Sequence, residues 1–366
     1  MAHVTPHLDL FGITRVADQT RLDRIGISCF AAMRPNAMTL AVNQGKGPDD
    51  ATARLSAIME AVEFAVAECP TATTSRASAQ HLAGRGERFF MPERLLPEAG
   101  TIAPHEELTW LTGYNLHSGE TALVPLDSVT IGTDYGTARF SQSTNGLAAG
   151  LAMDDCIIHA LCELVERDAY SLWSLMPLNR CAATRISPGA AVGATARATI
   201  EAIANAGLNL DLFNLTSDIG LPVVMALIWD DNPRTYFDVA SGICARADSD
   251  AAIAGAIEEA AQTRVTNISG ARDDIDPSDY DKALPQWIAK LIAMDRRKPD
   301  AVLSSLDEQA FRAIIDRIGD DLTIVPLTRE NELVQVVKVL SNTLEDRTTN
   351  RHWRPGRRAL RSMTAI

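Results

Sequence analysis

The chain has 366 residues, 46% of them hydrophobic, and a formal net charge of −13 at pH 7. That length can bury a large core, and the negative balance argues against general binding to nucleic acid, whose phosphates it would repel. No apolar run approaches the ~20 residues of a membrane span, and the start lacks a basic segment followed by an apolar one, so a cytosolic enzyme without membrane association is expected.

From Phe11 to Leu40 short apolar pieces alternate with turn formers, and Thr39–Asn43 reads as a strand. It runs into Gln44-Gly45-Lys46-Gly47-Pro48-Asp49-Asp50, read as a loop. Its glycine-flanked lysine could approach a phosphate, yet the motif is neither a P-loop nor a dinucleotide fingerprint, and alone it is an ordinary turn. A helix follows, containing Ser56, Glu60 and Glu63. Strands are expected at Ala122–Leu126 and Val129–Ile131, then the polar loop Ser141–Gly150, which suits an anion site or a helix cap equally well. A second helix carries Glu163, Glu166 and Arg167. Beyond it come an alanine-rich helix at Ala190–Ala206, strands at Leu208–Leu215, Pro222–Trp229 and Tyr236–Ala240, and a third helix from about Asp250. Helices at Trp287–Met294 and Asp307–Ile318, a strand at Leu322–Pro326, a helix near Glu330–Val336 and a strand through Val337–Val339 complete the pattern. Sheet layers covered by helices are expected, in one continuous fold of duplicated units.

The duplication is visible in the helices. Ser56-Ala-Ile-Met-Glu60-Ala-Val-Glu63 returns as His159-Ala-Leu-Cys-Glu163-Leu-Val-Glu166, and Glu259-Ala-Ala-Gln262 is a weaker third copy. Residues three apart share a helix face, so each copy presents two oxygen-bearing side chains together. A single Glu-x-x-Glu is common on solvated faces. Repetition among Ile58, Met59, Val62, Leu161, Leu164 and Val165 instead points to buried carboxylates, which require a metal, a base or hydrogen bonds. The six cysteines (Cys29, Cys69, Cys156, Cys162, Cys181 and Cys244) include no Cys-x-x-Cys pair and read as reduced, mostly buried small residues. The basic end from Arg351 to Arg361 is either a solvated tail or a contact for an acidic peptide, phosphates or a partner.

In these landmarks, taken in order with Ser143-Thr-Asn145-Gly146, Cys162-Glu163-Leu-Val-Glu166-Arg167-Asp168, Glu259-Ala-Ala-Gln262-Thr-Arg264 and Pro355-Gly356-Arg357-Arg358, the sequence resembles the YcaO family, ATP-dependent enzymes that activate backbone amides. Phe11-Gly-Ile-Thr-Arg15, Leu22-Asp23-Arg24-Ile-Gly26 and Arg34-Pro-Asn36 look like the branch that works with TfuA proteins in thioamide formation. The resemblance implies an α+β YcaO-type fold of duplicated helix-sheet units with the ATP site between them. Residues 1–44 would flank a catalytic domain at 45–366.

It further implies that Glu60, Glu63, Glu163 and Glu166 hold Mg²⁺ on the nucleotide. Lys46, Ser56, Asn145, Asp155, Arg167 and Arg264 would contact ATP, and Glu163, Glu166, Arg167, Glu259 and Gln262 would serve catalysis. The expected product is a thioamide in a ribosomal peptide or protein, made with a TfuA-like or other sulfur-delivery partner by a homodimer. The alternatives are an azoline-forming cyclodehydratase acting on Cys, Ser or Thr, and a non-catalytic peptide or partner scaffold with a degenerate nucleotide site. Phe64, Leu151, Asp155 and Arg246 depart from the family pattern, and Leu151 and Phe64 motivate the last reading.

Overall fold

The computed structural model describes residues 4–97, 100–132, 138–187, 193–294, 303–318, 321–329 and 332–364. Strands β1 (Arg15–Asp18), β2 (Ser28–Met33) and β3 (Val42–Gly47) form an antiparallel sheet, and helix α1 (Asp50–Glu68) lies on β2 and β3. The Asp49 side chain starts α1 by accepting from the Thr52 N–H at 2.8 Å. Next come β4 (Thr74–Ser78), α2 (Ala79–Gly84), β5 (Glu107–Asn115), β6 (Thr121–Pro125), β7 (Leu147–Gly150) and α3 (Met153–Trp173). Then α4 (Leu178–Ala183), β8 (Arg185–Ile186), α5 (Ala194–Asn205), β9 (Asn209–Asn214), β10 (Val223–Trp229), β11 (Val239–Ala245) and α6 (Ser249–Ser269) follow. The chain closes with α7 (Gln286–Ala293), α8 (Glu308–Ile318), β12 (Thr323–Pro326), β13 (Gln335–Leu340) and α9 (Arg357–Thr364).

A larger sheet runs β4-β5-β12-β13-β7, with β6 also on β5, and a third runs β11-β10-β9-β8; all pairings within named strands are antiparallel. Period-two alternation sorts the strands between cores. In β10, Val224, Ala226 and Ile228 pack with α5 and α6, whereas Val223, Met225, Leu227 and Trp229 pack with α3. In β13, Val337 and Val339 join the α3 core, and Val336 and Leu340 join the α1 core. Each carboxylate helix therefore covers its own sheet and meets the edge of the next. None of the described helices is long and apolar enough to cross a membrane.

Several elements differ from the sequence reading. Gly45-Lys46-Gly47 lies inside β3 rather than in a loop, because the missing side chain of Gly45 lets α1 close directly on the strand. A Cβ there would stand 2.0 Å from the Ala57 nitrogen. The strand also crosses position 44/45, so the N-terminal flank and the rest share a sheet. Val129–Ile131 forms no strand: the Ser128 hydroxyl turns back to the Pro125 carbonyl in a 3-10 turn. Tyr236–Asp238 is likewise a 3-10 turn, closed by Thr235 and Asp238, before β11 begins. Residues 330 and 331 of the expected helix near Glu330–Val336, and residues 190–192 of the expected alanine-rich helix, lie outside the described residues. Residues 332–334 are not helical, and Gln335 already pairs with Gly150 in the sheet.

Candidate nucleotide site

The three carboxylate helices converge on one cavity of about 830 Å³, within the roughly 300–1,000 Å³ of small-molecule sites. It lies between α1, α3 and α6, with β3 as a further wall. Helix α1 supplies Ser56, Glu60, Glu63 and Phe64, α3 supplies Glu163 and Arg167, and α6 supplies Glu259 and Gln262. On β3, alternation puts Gln44 and Lys46 on the cavity side, opposite Gly45. The Lys46 ammonium pairs with Glu259 at 2.6 Å, and Arg167 lies 3.6 Å from Glu163. Glu163 also accepts from the Gly146 N–H at 3.2 Å, just before β7.

The electrostatics are those of an anionic cluster only partly offset by neighbouring cations. Burial pushes the Glu60 carboxyl up to about 7, against the pull of Arg272 and Lys46. Burial, with the like charges of Glu163 and Glu60, raises Glu63 well above the usual carboxylate range. Glu163 is raised by burial despite Arg167 and Lys338. Glu259 is the exception: Lys46 and Arg167 overcome its burial and hold it low. Glu163 and Glu259 nevertheless keep 25% and 31% of their side-chain surface open to the cavity, within reach of a ligand.

Four expected residues do not line this cavity. Glu166 turns behind it, 8% exposed, where it accepts from the Ala245 N–H at 3.1 Å. Burial and Glu259 raise its carboxyl. Arg264 falls about 140° around α6 from Glu259 at 3.6 residues per turn. There it anchors Asp23 at 2.9 Å and Asp230 at 3.4 Å, outside the cavity lining. Asp155 is exposed in the first turn of α3, a place that complements the helix dipole. Asn145 is in a small adjoining chamber of about 40 Å³, with its Oδ1 buried and unpartnered. Of the departures, Phe64 lines the cavity, whereas Leu151 is exposed and Arg246 folds back on the Ala245 carbonyl at 2.8 Å.

Sequence reading missed Arg272, which lines the cavity and acts on Glu60, and Lys338, whose charge reaches Glu63 and Glu163. Lys338 left a signal: it is the one charge within the apolar run Val336–Leu340 of a central strand.

The residues present suit a triphosphate with a divalent cation. Cation donors Lys46 and Arg167 flank carboxylates Glu60, Glu63 and Glu163, and Gln142 Oε1 and Arg167 Nε are buried without a partner. Among the described residues no three His, Cys, Asp or Glu side chains form a cage that would hold a metal alone. Mg²⁺ is ordinarily taken by one or two carboxylates together with water and substrate phosphates, so pairs of this kind meet its requirement.

Comparison with known proteins agrees. Residues 44–345 match the model of the YcaO cyclodehydratase family, described as ATP- and Mg²⁺-binding. An uncharacterized protein in the tfuA 3′ region of Rhizobium leguminosarum bv. trifolii is 34% identical over 99% of this chain and 90% of its own. A Methanothermobacter thermautotrophicus protein, also uncharacterized, is 34% identical over 73% of this chain and 69% of its own. Among solved structures, YcaO from Methanopyrus kandleri, bound with AMPPCP and Mg²⁺, superimposes with a TM-score of 0.67 at 24% identity, covering 93% of this chain and 89% of that one. A heterocyclase in complex with substrate and cofactor gives 0.74 at 19% identity over 94% of this chain, which spans 52% of the heterocyclase. The sheet-and-helix layers, the converging carboxylates and these matches together place the chain in the YcaO family of ATP- and Mg²⁺-binding proteins.

Proposed function

We infer that this chain is an ATP- and Mg²⁺-dependent enzyme that activates a peptide backbone amide by O-phosphorylation, most simply to make a thioamide with a TfuA-like partner. The observation that carries the reading is the delivery of Glu60, Glu63 and Glu163 by two helices, and of Lys46 and Arg167, to one cavity large enough for a nucleotide. Glu60, Glu63 and Glu163 would hold Mg²⁺, which when bound neutralises phosphate charge. Lys46, Arg167 and Ser56 would orient phosphate oxygens, and Gln262 with Glu259 would form the third wall. The chain's task is positioning and charge stabilisation, as in other phosphoryl transfers. A nucleophile adds to the carbonyl carbon, the resulting oxyanion takes the terminal phosphoryl group, and loss of phosphate leaves the modified amide.

The cysteines support an external nucleophile. Burial pushes the thiols of Cys29 and Cys244 up to about 12 and those of Cys156, Cys162 and Cys181 to about 11, so none of these five is an activated thiolate. The relative in the tfuA 3′ region favours sulfide delivered by a partner. The family's description as a cyclodehydratase keeps azoline formation as the second reading. Mass spectrometry of a precursor peptide co-expressed with the chain and a TfuA-like protein tests both: exchange of one oxygen for sulfur supports the thioamide, and loss of one water the azoline. An unmodified precursor, together with no ATP turnover, would sink the enzymatic reading and leave the scaffold.

A further inference from the structure

Strand β13 places one ammonium among apolar neighbours. Lys338 is 2% exposed, and by alternation it shares the face of Val336 and Leu340, which pack in the α1 core. A lysine so buried needs compensating groups. Its Nζ donates to the Ser143 carbonyl, and the charges acting on it are Glu163, Asp346 and Glu63. Burial brings its pKa down to about 8 against those carboxylates, which leaves it largely ammonium at neutral pH.

The lysine does not line the main cavity. It occupies the adjoining chamber with Asn145 and Asp346, and Ser143 borders both spaces. From there it closes a clamp on the loop that enters the site. Lys338 stands opposite Leu147 in the β13–β7 register, and the Val339 N–H donates to the Gly146 carbonyl at 2.7 Å. Gly146, at φ +76°, turns its own N–H to Glu163 at 3.2 Å. A Cβ on Gly146 would stand 2.4 Å from the Val339 carbonyl oxygen, so the loop has little room to shift. One strand thus holds both ends of the Ser143–Gly146 segment, and that segment holds a carboxylate of the site.

We propose that Lys338 is a positioning residue of the nucleotide site: it fixes the Ser143–Gly146 loop against Glu163 and offsets the charge of Glu63 and Glu163, thereby setting how tightly those carboxylates take a divalent cation. This rests on the reading of the cavity as a metal–nucleotide site.

The test uses the full chain without nucleotide and Mn²⁺ alone, with free Mn²⁺ followed by electron paramagnetic resonance at neutral pH. Lys338→Met and Lys338→Gln should tighten Mn²⁺ binding at least about threefold, the size expected when one unit charge stops opposing a divalent ion across a water-filled cavity. Lys338→Arg should stay within about twofold of the parent, because it keeps the charge. In a Glu63→Gln background, where fewer like charges strain the fold, Lys338→Met should tighten binding in the same direction by less. A parent that binds Mn²⁺ while the folded neutral variants bind it equally or more weakly would overturn the role of Lys338 alone. If neither parent nor variants take up Mn²⁺, the metal reading of the cavity fails and this proposal with it.

Discussion

Replacing Glu60 by Gln should make the metal-free protein more stable above pH 7 and a worse enzyme. In the fold, burial raises the Glu60 carboxyl to about 7 from its ordinary 4.5. A group whose folded pKa is raised keeps its proton longer in the folded state than in the unfolded chain. Ionisation therefore costs the fold nothing below about pH 4.5, increasingly more between 4.5 and 7, and the full amount above. The full difference corresponds to about 3 kcal/mol, and water in the cavity screens part of it, so a gain of about 1–3 kcal/mol is expected in the variant. For a chain of this size that is a rise of about 1–4 °C in Tm. Scanning calorimetry in chelator at pH 4 and pH 8 measures it, with the rise expected only at pH 8. Adding ATP and Mg²⁺ should reverse the order, since ligand stabilises whichever protein binds it. An equal rise at both pH values, or a lower Tm at pH 8, would refute the reasoning.

Phosphate release by Glu60→Gln and Glu163→Gln should fall at least about tenfold in folded protein, because the charge balance around the transferred group is disturbed; normal turnover in both would make the pairs decoration. Calorimetric titration should show ATP affinity collapsing when Mg²⁺ is chelated, since the carboxylates otherwise repel a triphosphate. Single replacement of Cys156, Cys162 or Cys244 by Ala should leave phosphate release within about tenfold of the parent, apart from packing losses. One such variant that folds and binds ATP yet leaves peptide unmodified would point to a persulfide on the enzyme. Arg358→Leu should cost about 3 kcal/mol in denaturant unfolding, because the fully buried Asp168 loses two hydrogen bonds of 2.8 Å; an unchanged midpoint would show the pair to be dispensable.

What the sequence made legible was carried by periodicity. Glu60, Glu63, Glu163 and Glu259 follow helical spacing within apolar faces, and the structure brings all four to one cavity. Where chain distance and helix face diverge, the reading failed. Arg264 sits beside Gln262 in sequence but on another side of α6, and Glu166 shares the spacing of Glu163 yet turns to a backbone amide of β11. The resemblance implies Asn145 as a site residue through the Ser143-Thr-Asn145-Gly146 motif, but its side chain lies in the neighbouring chamber. Arg272 reaches the site by tertiary approach from a distant segment, which no local pattern encodes, whereas Lys338 shows in the sequence only as a lone charge in an apolar strand. The basic C-terminal segment reads equally as tail or contact, and in the structure its Arg358 pairs with Asp168 and Asp218.

Two glycines govern the alignment of the carboxylates without touching any ligand. Gly45 on β3 lies under α1, and Gly242 on β11 lies under α6, where a Cβ would stand 2.3 Å from both the Ala256 carbonyl oxygen and the Ala260 nitrogen. At neither crossing is there clearance for even one methyl group, so the strand sets the height of the helix above it, and with it the reach of Glu60 or Glu259. A saturation-mutagenesis map of this protein would accordingly score Gly45 and Gly242 as intolerant as the carboxylates themselves. Efforts to retune the site for another substrate have least freedom at these two backbone crossings, and more in the rim between them.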